Sequence, residues 1–317
     1  MVTLRGAVIG SGNMGRHHVR IMSQCEGVEL AYVVDTNITA ARELCAQWGG
    51  EALPSANELT HIDIAIVAVP THLHEKVALE LIDRKVNLLI EKPLADSPEA
   101  ARRIVEAACE AGVVLAVGHV ERFNPAIQEL KRRLSKPKMI SIERLSPYPA
   151  RIKDSVVYDL TVHDVDLACW LAESEPVELH AIGTTILSDK TDVASTQIKF
   201  ANECIATLQT SRITQDKVRR IEVSETERFF KVDMLKQNIE IKRSARVENK
   251  MENGRTTYTQ ETISEIPTIA RGGEPLRLEQ EDFYHAVRCG GEPMVTGADG
   301  LRAVELVDQI EKLTAAQ

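Results

Sequence analysis

The stretch Gly10-Ser11-Gly12-Asn13-Met14-Gly15 follows directly on the apolar run 7–9 and decides the fold of this chain. In a G-x-G-x-x-G pattern, the first glycine permits a tight turn, the second lets a pyrophosphate approach the backbone, and the third lets a helix pack closely on a strand. The N-terminus of that helix directs backbone N–H groups and the positive end of its dipole at the phosphates. The pattern therefore predicts a dinucleotide site.

An acidic residue at the end of the next apolar run supports this prediction. Asp35 lies 20 residues after Gly15 and follows the run 28–34, where a carboxylate can accept hydrogen bonds from the adenosine ribose. Thr36 and Asn37 come next, with no arginine to receive a 2′-phosphate, so the pattern favours NAD over NADP. The alternative is that Asp35 caps a helix beginning near residue 40, and the two roles are compatible.

The composition indicates an ordinary folded protein. A length of 317 residues favours two domains, and a net charge of −9 disfavours nucleic acid or an anionic membrane as partner. The six cysteines show no C-x-x-C spacing and predict reduced thiols, without a disulfide frame or a zinc site. No signal peptide and no stretch long enough to cross a bilayer is recognisable. We therefore expect a cytoplasmic protein with no metal and no membrane partner.

The first 120 residues alternate apolar strands with amphipathic helices. Near-continuous apolar strands joined by helical crossovers predict a doubly wound parallel sheet of the α/β class, whose ligands lie beyond the carboxyl ends of the strands. We assign residues 1–120 to an NAD-binding Rossmann domain. The predicted strands are 4–9, 28–34, 62–69, 86–90 and 113–117, and the predicted helices are 39–48, 73–84 and 98–111.

After about residue 180 the pattern changes to an alternation of polar and apolar residues. Such alternation predicts a mostly antiparallel sheet with one open face, covered by its own helices or by another subunit. We assign residues 121–317 to an α+β domain for substrate binding and oligomerisation. The predicted strands are 194–200, 204–211, 220–225, 229–234, 239–243 and 258–263, followed by a loop over 266–277 and helices over 278–288 and 299–313.

Lys92 is the first candidate catalytic residue. It lies in Glu91-Lys92-Pro93, after the predicted strand 86–90, where a doubly wound sheet places its ligands. Its ammonium could hydrogen-bond a substrate hydroxyl and favour its deprotonation, or exchange the proton itself if burial lowers its pKa. The alternative is an ordinary ion pair with Glu91 or another acid in a solvated loop.

Asp159 and His163 form the second candidate group. They stand at i and i+4 on a predicted helix and therefore face the same way. The acid would orient the imidazole and raise its basicity, which suits His163 to take a proton near neutral pH. Metal ligation by these two residues together with Asp166 is one alternative, and a structural pair on a solvated face is another.

Further polar residues stand at predicted strand ends and where the two halves of the chain join. Pro70 and Thr71 would contact the nicotinamide ribose, while His72 or His74 could simply begin a helix. The segment 144–153 carries enough positive charge to hold a phosphate or carboxylate, or else it is a solvated basic loop. Beside Gly10, Gly12, Asn13, Met14, Gly15 and Asp35, the candidate cofactor residues are Thr36, Pro70, Thr71, His74, Glu91, Lys92 and Asn124, and the candidate substrate residues are Arg122, Asn124, Tyr148, Arg151 and Lys153.

With the glycine pattern, Glu91-Lys92-Pro93 and the D-x-x-x-H of Asp159 and His163 in place, the chain resembles the glucose–fructose oxidoreductase and inositol dehydrogenase family (Gfo/Idh/MocA) over essentially its whole length. The resemblance implies that Lys92 and His163 act in hydride and proton transfer on a sugar or cyclitol hydroxyl, supported by Asp159. It also implies a homodimer or homotetramer formed through the open sheet. The strings 118–125 and 158–167 look most like the family's UDP-N-acetylglucosamine 3-dehydrogenases, which feed 3-amino sugar pathways such as that of lipid A.

This resemblance implies a mechanism in a cleft between the domains. His163 takes the proton of the sugar 3-hydroxyl, Lys92 stabilises the developing alkoxide, and the hydride passes from C3 to NAD+. The opposite assignment, with Lys92 as the base and His163 as its relay, stays open. Two rival functions also stay open: oxidation of inositol, a free hexose or a UDP-aminouronate, and NAD sensing without catalysis. A sensor needs no proton-transfer pair, so Lys92, Asp159 and His163 together weigh against it.

Overall fold

The computed structural model describes residues 3–148, 154–252, 255–269 and 273–315, and the chain divides into two compact units. The first unit consists of Met1–Phe123 and Gly273–Asp308, and the second of Asn124–Gly272 and Gln309–Gln317. The sequence predicts that every residue after 120 belongs to the second domain, whereas the segment Gly273–Asp308 lies with the first unit. The physical reason is that its apolar side chains, among them Phe283 and Val304, belong to the cores of the first unit.

The first unit is built on a six-stranded parallel sheet in the order β3-β2-β1-β4-β5-β6, which confirms the predicted doubly wound fold. Five of these strands are predicted, and the three-residue edge strand β3 is not, because so short a segment carries no recognisable pattern. The strands are β1 (Leu4–Ile9), β2 (Val28–Val34), β3 (Glu51–Leu53), β4 (Ile64–Val67), β5 (Asn87–Glu91) and β6 (Leu115–Gly118), and the first helices are α1 (Asn13–Met22), α2 (Ile38–Trp48), α3 (His74–Ile82) and α4 (Pro98–Ala111).

Both faces of this sheet are buried. Ala65 and Val67 of β4 belong to one apolar cluster, while Ile64 and Ile66 between them belong to the other. Successive side chains of a strand point to opposite faces, so a strand covered on both sides needs a continuous apolar run. Local signals fix the ends of the helices: the Ser97 hydroxyl accepts a hydrogen bond from the Ala100 amide at the start of α4.

The second unit contains an eight-stranded sheet in the order β14-β13-β12-β11-β7-β10-β9-β8. It is antiparallel except between β7 and β10, which confirms the predicted mostly antiparallel sheet. Strands β7 and β8 are absent from the prediction. The elements are α5 (Pro125–Arg133), β7 (Met139–Leu145), a π-helical turn (Val157–Thr161), α6 (Val162–Ala172), β8 (Pro176–Thr184), β9 (Val193–Phe200), β10 (Ile205–Ser211), β11 (Val218–Ser224), β12 (Arg228–Asp233), β13 (Asn238–Glu252) and β14 (Arg255–Glu265).

One face of this sheet is covered by helical structure and the other is exposed. On the inner face, the Thr210 hydroxyl of β10 lies 2.7 Å from that of Thr161, in the π-helical turn before α6. On the outer face, Met139 of β7 and Ile205 of β10 are paired in register and are 47% and 46% exposed. The outer face is therefore the open face that the alternation predicts.

Two helices close the described part of the chain, α7 (Pro275–Cys289) and α8 (Gly297–Ala315). Helix α7 supplies Leu276, Phe283 and Tyr284 to a core of the first unit. No helix in the described ranges combines the length and the apolar character that a membrane span requires.

Candidate active site

The glycine turn leads from β1 into α1 in the first unit. Gly10 has a φ of +105°, and a Cβ there would lie 2.5 Å from the carbonyl oxygen of Ala68. A Cβ at Gly15 would overlap the Gly10 carbonyl oxygen, so the fold itself needs both glycines. A Cβ at Gly12, by contrast, would meet no protein atom within 4 Å. The space in front of Gly12 is therefore open to a ligand that approaches the first turn of α1.

Asp35 stands at the end of β2, beside this turn. One carboxylate oxygen accepts hydrogen bonds from the Ser11 amide and the Ser11 hydroxyl, both at 2.6 Å, and the other accepts one from the Asn37 amide at 2.8 Å. Burial acts to raise the pKa of Asp35, but these hydrogen bonds outweigh it and hold the pKa below its ordinary value. The Asn37 side chain caps α2 by accepting from the Ala40 amide at 3.3 Å, so Asp35 is not needed for that role.

These features fit NAD. Open space before Gly12 suits the pyrophosphate, and the first turn of α1 carries no acidic residue that would repel it. Asp35 is ionised and keeps acceptor capacity for ribose hydroxyls. Asn13 and Met14 begin α1, and Thr36 is exposed beside Asp35.

Pro70, Thr71 and His74 follow β4. Pro70 and Thr71 are accessible at the start of a short 3₁₀ turn, Thr71–Leu73. The His74 ring is buried, with its two nitrogens 3.0 Å from the Pro93 carbonyl oxygen and 2.9 Å from that of Val69. Burial lowers the pKa of His74 against the opposing effect of these carbonyls. The ring of His74 thus joins two backbone segments, which is a structural role, and its predicted cofactor contact stays a prediction.

Glu91, at the end of β5, is buried and fixed by His18. Oε1 of Glu91 lies 2.8 Å from Nε2 of His18, and Oε2 accepts a hydrogen bond from the Lys92 amide at 3.2 Å. Burial acts to raise the pKa of Glu91, but the contacts with His18 and the charge of Lys92 hold it below its ordinary value. Glu91 is therefore not the solvated partner that the surface ion-pair interpretation of Lys92 assumes. Lys92 itself is half-buried, and the Lys92–Pro93 peptide bond is cis.

Helix α7 determines which nitrogen of His18 carries the proton. The Tyr284 hydroxyl donates to the amide oxygen of Gln280 at 2.7 Å, so the amide nitrogen faces Nδ1 of His18, at 2.9 Å. An amide nitrogen only donates, which makes Nδ1 the acceptor and leaves the proton on Nε2, directed at Glu91. The sequence gives no signal for this arrangement, because His18 and Gln280 are 262 residues apart.

Glu279 is a second buried acid in this region. Burial, together with the nearby charges of Glu91 and Asp282, raises the pKa of Glu279 well above its ordinary value. Neither of its carboxyl oxygens has a hydrogen-bond partner among the described residues. Burial therefore favours the neutral carboxyl form at Glu279 and the contacts with His18 favour the ionised form at Glu91.

Asp159 and His163 belong to the second unit. Both are half-buried, in contrast to Asp164 and Asp166, which are buried. Asp159 lies in the π-helical turn Val157–Thr161 and not in the regular α-helix that the sequence predicts; π-helical turns are frequent at functional sites. Within the described ranges, no three potential ligands come together in a way that could hold a metal ion.

Arg122 and Asn124, predicted as donors to a ligand, are buried and bound within the protein. Arg122 donates to the Met294 carbonyl oxygen at 3.1 Å and pairs with Asp299 at 3.2 Å. The Asn124 side chain donates to the Met234 carbonyl oxygen at 3.0 Å and caps α5. These contacts give each side chain a structural role within its own unit, and the ligand role of Arg122 and Asn124 stays a prediction.

The basic segment 144–153 is only partly described. Arg144 is not part of a solvated loop, since it is buried and pairs with Asp164 at 2.7 Å. Tyr148 is the last described residue of this segment and is exposed. Arg151 and Lys153 lie outside the described residues. Arg212 is a further buried arginine, and no pattern in the sequence marks it as a candidate. It follows β10 on the same inner face as Arg144.

Comparison with known proteins identifies the family to which both parts of the chain are similar. Residues 4–119 match the oxidoreductase family with an NAD-binding Rossmann fold, and residues 132–230 match the GFO/IDH/MocA C-terminal domain. The UDP-N-acetylglucosamine 3-dehydrogenase of Acidithiobacillus ferrooxidans is 31% identical over 98% of this chain and 97% of its own length. Its crystal structure superposes with a TM-score of 0.89 at 30% identity and covers 100% of this chain and 99% of its own.

Other relatives are more distant. An inositol 2-dehydrogenase of Rhizobium meliloti is 24% identical over 97% of this chain and 96% of its own length. A levoglucosan dehydrogenase crystallised with NADH shares the fold, with a TM-score of 0.85 at 18% identity over 99% of this chain and 97% of its own.

Proposed function

Because the chain belongs to the Gfo/Idh/MocA family of NAD-binding oxidoreductases, we propose that it oxidises the 3-hydroxyl of UDP-N-acetylglucosamine to a ketone with NAD+. The observation that carries the proposal is the similarity to a dehydrogenase of this substrate, which extends over 98% of the chain at 31% identity. An inositol dehydrogenase that matches over a comparable length is only 24% identical. The accessible candidates Lys92, Asp159 and His163 are the residues that such a reaction requires.

In the first unit, the chain's own residues bind the cofactor. The amides at the start of α1 hold the pyrophosphate in front of Gly12, and Asp35 accepts hydrogen bonds from the ribose. Pro70 and Thr71 border the nicotinamide ribose. Bound NAD+ supplies the hydride acceptor.

Proton transfer depends on Lys92 and His163. His163 accepts the proton of the 3-hydroxyl, Asp159 orients its imidazole, and the Lys92 ammonium stabilises the alkoxide that forms as hydride leaves C3. Lys92 stands next to Glu91, whose carboxylate is bound by His18. This pair fixes the backbone from which the lysine side chain extends, so the side chain does not start from a flexible loop.

Replacement of His163 distinguishes the two assignments of the base. A general base must be unprotonated, so the rate falls on the acidic side of its pKa. If His163 is the base, the rate of H163N no longer falls at acidic pH, and its kcat is roughly 100-fold or more below that of the wild type. If the acidic fall persists in H163N, Lys92 is the base and His163 its relay. His180 is exposed and pairs with Glu178, so H180N is the matched control.

A substrate panel followed by NADH absorbance tests the function itself. We expect turnover of UDP-N-acetylglucosamine and a product lighter by two hydrogens, with the ketone at C3 by NMR after borodeuteride reduction. Turnover of myo-inositol, free N-acetylglucosamine or a UDP-aminouronate in preference to it would identify another dehydrogenase. NAD binding without turnover of any of them would favour a sensor.

We further propose that the enzyme is cytoplasmic and forms a homodimer or homotetramer through the open sheet face around Met139 and Ile205. A 3-ketone is a substrate for amination, so the product would enter the synthesis of a 3-amino sugar, for lipid A or a related glycan. Light scattering on the M139E/I205E double variant tests the assembly, because two buried charges would separate the subunits. An unchanged mass would place the contact elsewhere.

A further inference from the structure

Arg212 carries a buried charge that has no acidic partner among the described residues. The residue follows β10 and is 1% exposed. Within the described ranges, neither Nε nor Nη2 of its guanidinium has a hydrogen-bond partner. Buried arginines are normally paired, because burial of an uncompensated charge is strongly unfavourable.

Arg144 provides the internal comparison. It is also 1% exposed and lies on β7 opposite Thr210, two residues before Arg212. Asp164 of α6 pairs with Arg144 at 2.7 Å. One inner face thus holds two equally buried arginines, and within the part of the chain that the structure describes only Arg144 has an acidic partner. The difference indicates that the counter-charge of Arg212 comes from a ligand.

The backbone places Arg212 beside the helical segment that carries Asp159 and His163. The Arg212 amide donates to the Asp192 carbonyl oxygen at 3.1 Å, next to Thr191, whose carbonyl oxygen accepts from the Val156 amide at 2.9 Å. Val156 immediately precedes the π-helical turn that contains Asp159. Any anion bound by Arg212 is therefore a neighbour of the proposed substrate site.

We propose that Arg212 binds a phosphate oxygen of the substrate's diphosphate, an inference that rests on the proposed function. The planar guanidinium presents parallel N–H donors that match a phosphate or a carboxylate in bidentate fashion. A sugar nucleotide offers such an oxygen, whereas inositol and free hexoses have no anionic group. The pyrophosphate of NAD has its own cradle at the glycine turn. Arg212 thus selects sugar nucleotides over the neutral sugars that other family members oxidise.

Calorimetric titration of the NAD-bound protein tests this inference without turnover. UDP is the phosphate probe, uridine the uncharged control and glucuronate the carboxylate probe. In R212Q, we expect the affinity for UDP to fall by roughly 10- to 100-fold, as for the loss of charge-assisted hydrogen bonds, and R212K to be intermediate. UDP affinity unchanged in R212Q overturns the proposal. Loss of glucuronate binding with UDP binding intact would assign the arginine to a carboxylate and overturn it equally.

Thermal unfolding of the ligand-free protein separates a binding role from a structural one. Because the Arg212 guanidinium has no internal partner among the described residues, R212Q and R212M should melt at the same temperature as the wild type or several degrees higher. R144M should melt several degrees lower, because it leaves the buried Asp164 carboxylate without its arginine. A fall in R212M as large as in R144M contradicts a ligand role.

These measurements also distinguish a failure of the proposed function from a failure of the proposed anion site. If the wild type fails to oxidise UDP-N-acetylglucosamine but R212Q loses UDP affinity, the proposed function is wrong and the anion site stands. If the wild type turns the substrate over and R212Q binds UDP normally, the function stands and the anion site is wrong.

Discussion

Replacing Gly12 by alanine should weaken NAD binding sharply while the ligand-free fold remains intact. A Cβ at Gly12 meets no protein atom within 4 Å, and the φ of −68° and ψ of −160° lie in extended backbone that alanine adopts. The methyl group would occupy the space through which a pyrophosphate reaches the amides of α1. Gly15 differs, because a Cβ there overlaps the Gly10 carbonyl oxygen and the chain must shift.

The expected change in stability is small because two effects oppose each other. Replacing glycine by alanine at accessible backbone angles stabilises a protein by about 0.4–1 kcal/mol, through the unfolded chain. Gly12 is also the N-cap of α1, where alanine is less favourable than glycine by about 1 kcal/mol. The free energy of unfolding should therefore change by less than about 1 kcal/mol. Losing one charge-assisted hydrogen bond to phosphate, about 1.5–3 kcal/mol, weakens NADH binding by roughly 10- to 100-fold.

Urea unfolding of the ligand-free protein and fluorescence titration with NADH measure these two quantities. G291A is the matched control, since a Cβ at Gly291 also meets no atom within 4 Å and the residue lies outside the turn. G15A should lose both the fold and the cofactor. The reasoning is refuted if G12A binds NADH as tightly as the wild type, or if it loses more than about 2 kcal/mol of stability without ligand.

Three further changes test parts of the structure away from the glycine turn. Y284F removes the hydrogen bond to Gln280 and should cost about 1 kcal/mol in urea unfolding; a neutral result would mean that the amide is oriented by something else. The backbone amides of Ile186, Leu187 and Ser188 hold the pKa of Asp192 at about 2 against the opposing effect of burial. Asp192 therefore contributes about 2 kcal/mol to the free energy of unfolding above pH 4, and this contribution is lost as the pH falls towards 2. D192N should remove the loss of stability between about pH 4 and pH 2 that Asp192 causes. If D192N and the wild type lose the same stability over this range, Asp192 is not its source. R122M should cost about 3 kcal/mol because Asp299 loses its nearest guanidinium. A stable variant with impaired substrate binding would instead support the ligand role predicted for Arg122.

The sequence predicts the parallel sheet and the glycine turn well, because their requirements are local. Each of the signals depends on residues that are close together in the sequence or separated by one crossover helix. These signals are the apolar run, the three spaced glycines and the acid at the end of the next strand. The structure agrees with the G-x-G-x-x-G pattern in three features: the positive φ at Gly10, the closeness of Gly15 to Gly10, and the hydrogen bonds between Asp35 and Ser11.

Burial and pairing between distant residues cannot be predicted in this way. Arg122 is a plausible ligand donor in the sequence, and only the fold brings Asp299 to it, 177 residues later. Arg144 and Arg212 are equivalent as sequence, since both are arginines at a strand end. Among the described residues, the position of Asp164 distinguishes Arg144, which it pairs with, from Arg212, whose Nε and Nη2 have no hydrogen-bond partner.

The return of Gly273–Asp308 to the first unit has a consequence for synthesis on the ribosome. In chain order, residues 124–272 of the second unit interrupt the first unit, so the nucleotide-binding unit is incomplete until almost the whole chain has been made. Until then, the core surface that receives Phe283 is exposed and His18 lacks Gln280. Contacts of such long sequence separation slow folding and leave partly folded chains prone to aggregate. A fragment ending near residue 120 should therefore depend on chaperones, and adding residues 273–308 through a short linker in place of the insertion should make it soluble.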